Sequence, residues 1–101
     1  MRAAAIDLGT VRVGLAVADD LGLLAHPRPH LSGKDLGKLI KDLGRLAREE
    51  GIDRFIVGLP RRLDGREGPE ATRARRFAEK LAASTGVATE LLDEWLSTKE
   101  A

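Results

Sequence analysis

Apolar and polar positions follow two different rhythms along this chain, and the changes of rhythm mark its elements. Residues 2–7 form a short apolar run, Gly9 and Thr10 interrupt it, and Val11, Val13, Leu15 and Val17 then recur on one parity. A period of two belongs to a strand with one face turned inward, so the pattern predicts a β-hairpin. The other parity carries Arg12, Gly14, Ala16 and Ala18, a small, smooth face broken by one guanidinium. Residues 23–31 keep the apolar character. Pro27 and Pro29 lack the N–H groups of a two-sided ladder, which confines this third strand to a sheet edge.

From residue 36 the rhythm changes. Leu36, Leu39, Ile40, Leu43, Leu46 and Ala47 stand at i, i+3, i+4 spacing and predict an amphipathic helix, opened by an S-x-x-D signal at residues 32–35 and closed at Gly51. Gly37 and Gly44 inside it each cost about 1 kcal/mol relative to alanine, which suggests close packing on a sheet. "RFIVGLP" at 54–60 is nearly continuous in apolar character, as expected of a central parallel strand buried on both faces. A polar loop, "RRLDGREG", follows, and Pro69 with Glu70 suits the first turn of a second helix. Ala71, Ala74, Phe77, Ala78 and Leu81 form its apolar stripe, Arg73, Arg76 and Lys80 lie on another face, and Gly86 closes it. Residues 87–92 predict a last strand that ends in "DEW". "STKE" at 97–100 has the form of a capping box, so a further helix is expected and residues 1–101 are read as one domain cut short at its C-terminus.

Composition narrows the class. One hundred and one residues suit a single core, and 43% apolar with 33% charged residues is the balance of a folded globular protein. Seventeen Lys and Arg against sixteen Asp and Glu leave +1, so any basic surface must come from local clustering. The absence of cysteine excludes disulfides and thiolate metal sites. There is no signal-peptide pattern and no apolar run near the ~20 residues of a membrane span, so a cytoplasmic location away from membranes is expected.

The candidate chemistry lies in three acids. Asp7 stands on the first strand, and Asp93 with Glu94 ends the last. Ligands of open α/β sheets gather at the carboxyl ends of parallel strands, so the three carboxylates are expected to meet there. Such a cluster suits magnesium or manganese, since hard cations take oxygen ligands and a pair roughly 3.5–4 Å apart can activate water on a phosphodiester. The plain readings are an Asx-type turn at Asp7 and a capping pair at 93–94. Arg12, on the small-residue parity beside a carboxylate, suits a phosphate oxygen or is a solvated edge charge. Arg61, Arg62 and Arg66, with Arg73, Arg75 and Arg76 after them, either track a nucleic-acid backbone or form a solvated face with the acids among them. Phe55 and Phe77 read as core, Trp95 as partly exposed beside the site, and His26 and His30 as surface residues.

The stretches "IDLGTVRVGLAVAD" at 6–19, "IVGLPRRLDGREGPEA" at 56–71, "RARRFAEKL" at 73–81 and "LLDEWLSTKEA" at 91–101 resemble the YqgF (RuvX-like) family across essentially the whole chain. The resemblance implies a ribonuclease-H-like α/β fold: a five-stranded mixed sheet in strand order 3-2-1-4-5, helices packed on it, and a final helix missing. It implies a metal-dependent nuclease that matures the 5′ end of precursor 16S ribosomal RNA, related to Holliday-junction resolvases, with precursor rRNA, ribosomal precursor particles or branched DNA as partners. Asp7, Asp93 and Glu94 match the family's acidic residues, which would be catalytic and bind the metal. Arg12 matches its arginine after the glycine turn, and Arg61, Arg62 and Arg66 would hold substrate. Two positions depart from the family, which commonly has asparagine at Arg62 and arginine at Trp95. A competing class remains, because "IDLGT" also resembles the first phosphate motif of actin-like and sugar-kinase ATPases; a non-catalytic RNA-binding domain is the third reading.

Overall fold

The computed structural model describes residues 2–9, 11–19, 25–62 and 64–95; for Ala25, Glu94 and Trp95 it describes the backbone alone. The element order is β1 (Ala3–Leu8), β2 (Arg12–Ala18), β3 (Ala25–Ser32), α1 (Leu36–Glu50), β4 (Arg54–Arg61), α2 (Pro69–Thr85) and β5 (Ala88–Trp95). These strands form one sheet in the order β3-β2-β1-β4-β5, as the family resemblance implies. The β1–β2 and β2–β3 pairs are antiparallel, and β4 runs parallel to both β1 and β5. β3 lies at the edge, where Pro27 and Pro29 do least harm, and its register against β2 shifts between Val13 and Leu15. The "STKE" capping signal lies outside the described residues.

Each helix is delimited by its ends. Asp35 itself caps α1, its side chain accepting from Lys38 N at 3.0 Å, so the cap falls three residues later than an S-x-x-D box opened by Ser32 would place it. Gly51 closes α1 at φ 68° and Gly86 closes α2 at φ 72°, left-handed conformations that glycine adopts without strain. Pro69 opens α2 after Gly68, which offers no side-chain cap.

Both helices pack on one face of the sheet. That face presents Ala4, Ile6, Val13, Val17, Phe55, Val57 and Leu59, all buried, and all five stripe positions of α2 are buried against it. The opposite face is only half covered: Ile56 is intermediate and Leu92 is 59% exposed. β4 is therefore not buried equally on both sides, as its continuous apolar run suggests, because both helices sit on one of them. The helix glycines also differ from expectation. A Cβ on Gly44 would lie 3.4 Å from Thr85 Cγ2, so Gly44 allows α2 rather than the sheet to approach.

Arg28 binds Glu50 through two hydrogen bonds of 2.8 and 2.6 Å, and Arg2 adds a contact at 3.3 Å. This cluster ties the edge strand and the start of β1 to the last turn of α1. Hydrogen bonds from Arg28 hold the Glu50 carboxyl below the usual carboxylate range.

Candidate active site

Asp7 lies on β1, directly across from Gly14 of β2. Its side chain stands on the half-covered face, in a shallow concavity of about 230 Å³ lined also by Ala5, Ala16, Ile56, Gly58 and Leu92. The neighbours are small for a reason the geometry makes plain. A Cβ on Gly14 would sit 3.4 Å from the Asp7 Cβ, and any larger side chain there would cover the carboxylate. Asp7 is exposed, and among the described residues it makes no ion pair and no side-chain hydrogen bond. Gly58 interrupts the apolar run "IVGLP", a signal of close approach that the expectation of a strand buried on both faces passes over. Arg12, also exposed, opens β2 on the parity of Gly14 and therefore of Asp7.

The turn after Asp7 is held tightly. Gly9 N lies 3.1 Å from both the Asp7 and the Arg12 carbonyl oxygens, and a Cβ on Gly9 would overlap the latter. Arg73 reaches from α2 to donate to the Gly9 carbonyl at 2.8 Å. That arginine, grouped by sequence with a nucleic-acid-facing cluster, instead anchors the turn that carries Asp7.

Asp7 and Asp93 do not meet. Asp93 is paired in register with Leu59, whereas Gly58 and Leu92, the residues beside Asp7, occupy the alternate row. Successive strand residues point to opposite faces, so Asp93 stands on the helix side. There its carboxylate lies 3.1 Å from Arg61 Nε as an ion pair without aligned hydrogen-bond geometry. Glu94 is paired in backbone register with Pro60 and shares the parity of Leu92 and Gly58. Among the described residues no three acidic or histidine side chains converge as a metal site would require. His26 and His30 are both exposed, as expected.

The loop arginines are engaged with carboxylates. Arg61 contacts Asp93, Glu67 and the Gly65 carbonyl; Arg62 lies 4.0 Å from Glu70, and Arg66 3.6 Å from Asp64. Glu67 also takes two hydrogen bonds from Arg75, at 2.8 and 2.6 Å. Those bonds, then the charges of Arg75 and Arg61, hold the Glu67 carboxyl below its usual range. Arg62 and Arg66 remain well exposed, at 54% and 83% of their side chains.

A mixed sheet in this strand order, with two helices on one face and an exposed strand aspartate on the other, defines a ribonuclease-H-like α/β domain. The family described as "RuvX: Holliday junction resolvase" matches residues 1–101, and the chain belongs to it. A relative from Anaeromyxobacter sp. (strain K), named "Putative pre-16S rRNA nuclease", is 43% identical over all 101 residues, which span 74% of that protein. In structure the chain is similar to Thermus thermophilus RuvC in complex with a Holliday junction substrate, with a TM-score of 0.65 at 17% identity, over 92% of this chain and 65% of that one. An exopolyphosphatase from Cytophaga hutchinsonii shares the fold at a TM-score of 0.53 and 15% identity, over 92% of this chain and 34% of that one. The fold alone therefore does not choose the substrate.

Among the described residues no helix is long and apolar enough to cross a membrane.

Proposed function

We propose that this chain hydrolyses phosphodiester bonds of structured nucleic acid on the half-covered face of its sheet, with precursor 16S ribosomal RNA as substrate. The observation that supports this most directly is Asp7, an exposed carboxylate on a central strand, left accessible by glycine and alanine neighbours. Family membership and the relatives' name supply the reaction class, and the family's description makes a four-way DNA junction the second substrate to test.

Magnesium or manganese is typically held by one or two carboxylates, with water and substrate phosphates completing its shell. Asp7 fits that role. Asp93 does not, because Arg61 engages it on the other face; Glu94, on the row of Leu92, is the second carboxylate of the proposal. When bound, such an ion activates water and steadies the leaving oxygen. Arg12 offers a paired N–H fork to a phosphate oxygen beside Asp7, and Arg62 and Arg66 hold the flanking strand from the loop. Gly14 and Gly58 let the sugar-phosphate backbone approach the sheet, and Arg73 keeps the turn after Asp7 in place. Arg61 serves the loop, holding Glu67 and Asp93.

The test compares the chain with Asp7→Asn on a precursor 16S rRNA fragment and on a four-way DNA junction in magnesium. Manganese-induced broadening of amide resonances around Asp7 is a second readout. Asp7→Asn is expected to lower cleavage by at least about a hundredfold, the scale of losing one group that stabilises transition-state charge, and to remove the broadening. Cleavage at the parent rate by Asp7→Asn overturns the proposal.

A further inference from the structure

Of the arginines that sequence assigns to nucleic-acid binding, Arg61 and Arg75 are closely paired with carboxylates, whereas another set of cations, on α1 and α2, lines a groove with no acidic residue in it. A groove of about 670 Å³ runs between α1 and α2, with Lys41, Arg45 and Arg48 on one wall and Lys80 on the other. Glycines 37 and 44 line the α1 side, and none of the lining residues is acidic. Among the described residues Lys41, Arg48 and Lys80 make no ion pair, and Arg45 has only Asp42, at 4.0 Å. In a chain of net charge +1, this concentrates positive potential on one surface.

We infer that the α1–α2 groove is a second nucleic-acid surface, which holds the phosphate backbone of a duplex arm at a distance from the bond that is cut. Lys41, Arg45 and Arg48 recur at four and three residues and so form a line along one side of α1. At 1.5 Å per residue the line is about 10 Å long. That is the axial span of roughly three nucleotides in one strand of a duplex, at 3.4 Å each. Glycine at 37 and 44 keeps the groove open, because a longer side chain at 44 would press on Thr85. An acidic protein is the weaker fit. Protein interfaces are centred on aromatic or large apolar anchors, and this groove offers only Ile40 and small residues.

The groove lies on the helix side of the sheet and Asp7 on the other, so one short strand does not occupy both. A structured substrate does, with one arm in the groove and another region passing over the sheet. The inference takes its partner class from the proposed nuclease reading but not its site, because the groove residues and Asp7 lie on opposite sides.

Fluorescence anisotropy with a labelled RNA duplex tests it. Lys41→Gln/Arg48→Gln is expected to weaken binding about tenfold or more at low salt. It is also expected to lower the slope of log K against log salt by roughly 2, close to one per phosphate contact removed. Cleavage by Asp7→Asn and duplex binding by the groove variants are separate readouts, so failure of the groove and failure of the cleavage site are distinguishable. An unchanged thermal midpoint of the double variant shows that the fold is intact; should it fall, Lys80→Gln alone is measured, for weaker binding and a salt slope lower by about 1. Parent affinity and salt slope in both groove variants overturn the inference. Competition by polyglutamate as effective as by unlabelled duplex also overturns it, by assigning the groove to an acidic protein.

Discussion

The two faces of the sheet are made from the same strands, yet they have opposite characters. On the helix side Phe55, Val57 and Leu59 are at most 2% exposed and form the core with α1 and α2. On the other side the same strand presents Ile56 and Gly58, beside Gly14, Ala16 and Asp7. Packing against helices demands volume, and approach by a ligand demands its absence. A single strand meets both demands because its side chains alternate.

The largest expected effect tests the packed side. Phe55→Ala should destabilise the fold by about 3–5 kcal/mol, and Ile56→Ala by roughly half of that or less, since Ile56 is already partly solvated. Chemical denaturation measures both, and equal losses would show that the second face is as much a core as the first. Gly14→Val tests the open side. It should change stability by no more than about 1 kcal/mol and yet remove cleavage and manganese broadening at Asp7, by placing methyl groups over the carboxylate. Retained broadening would mean that the small neighbours do not govern access.

The acid limb of stability sharpens the comparison further. Glu50 and Glu67 have carboxyls held below the usual range by arginine hydrogen bonds. A lowered folded-state pKa stabilises the protein above the unfolded-state pKa, and that stabilisation is lost as pH falls through the lowered value. Glu50→Gln should therefore lower the melting temperature at neutral pH and flatten its fall in acid; an unchanged acid limb would show that the Arg28–Glu50 cluster contributes nothing. The smallest stability effect belongs to Asp93→Asn. Its carboxylate is 53% exposed, so losing the Arg61 pair should cost less than about 1 kcal/mol and leave cleavage near the parent rate. Glu94→Gln should remove cleavage. The reverse outcome would exchange the two carboxylates in the proposal.

Much of the fold was legible in the chain before any coordinates. The five stripe positions of α2 are the five that become buried, and Gly51 and Gly86 end the helices where the periodicity stops. Those features are local: 3.6-residue periodicity, a capping carboxylate and a left-handed glycine need nothing from elsewhere. The candidate site is legible in part. Asp7 and the smooth parity around Gly14 are visible in one hairpin, and the family resemblance implies a metal-binding role for Asp7. Asp93 and Glu94 are adjacent in sequence, and nothing local says which one shares a face with Asp7. That follows from the register of β5 on β4 and of β4 on β1. The pairing of Arg61 depends on distant residues in the same way: Asp93, which engages it, comes from β5, and Arg75, which competes for Glu67, comes from α2.

By itself, then, the sequence determined which segments are strands and helices, which stripe of each helix is buried, and that an acid on the first strand has small neighbours, because these depend on residues close together along the chain. Only the tertiary structure decided that Asp7 and Asp93 stand on opposite faces, that Arg61 is engaged by Asp93, and that Lys80 faces Lys41, Arg45 and Arg48 across a groove. Each of those outcomes depends on strand register or helix packing, which brings together side chains far apart in sequence and leaves no periodic trace in the chain itself.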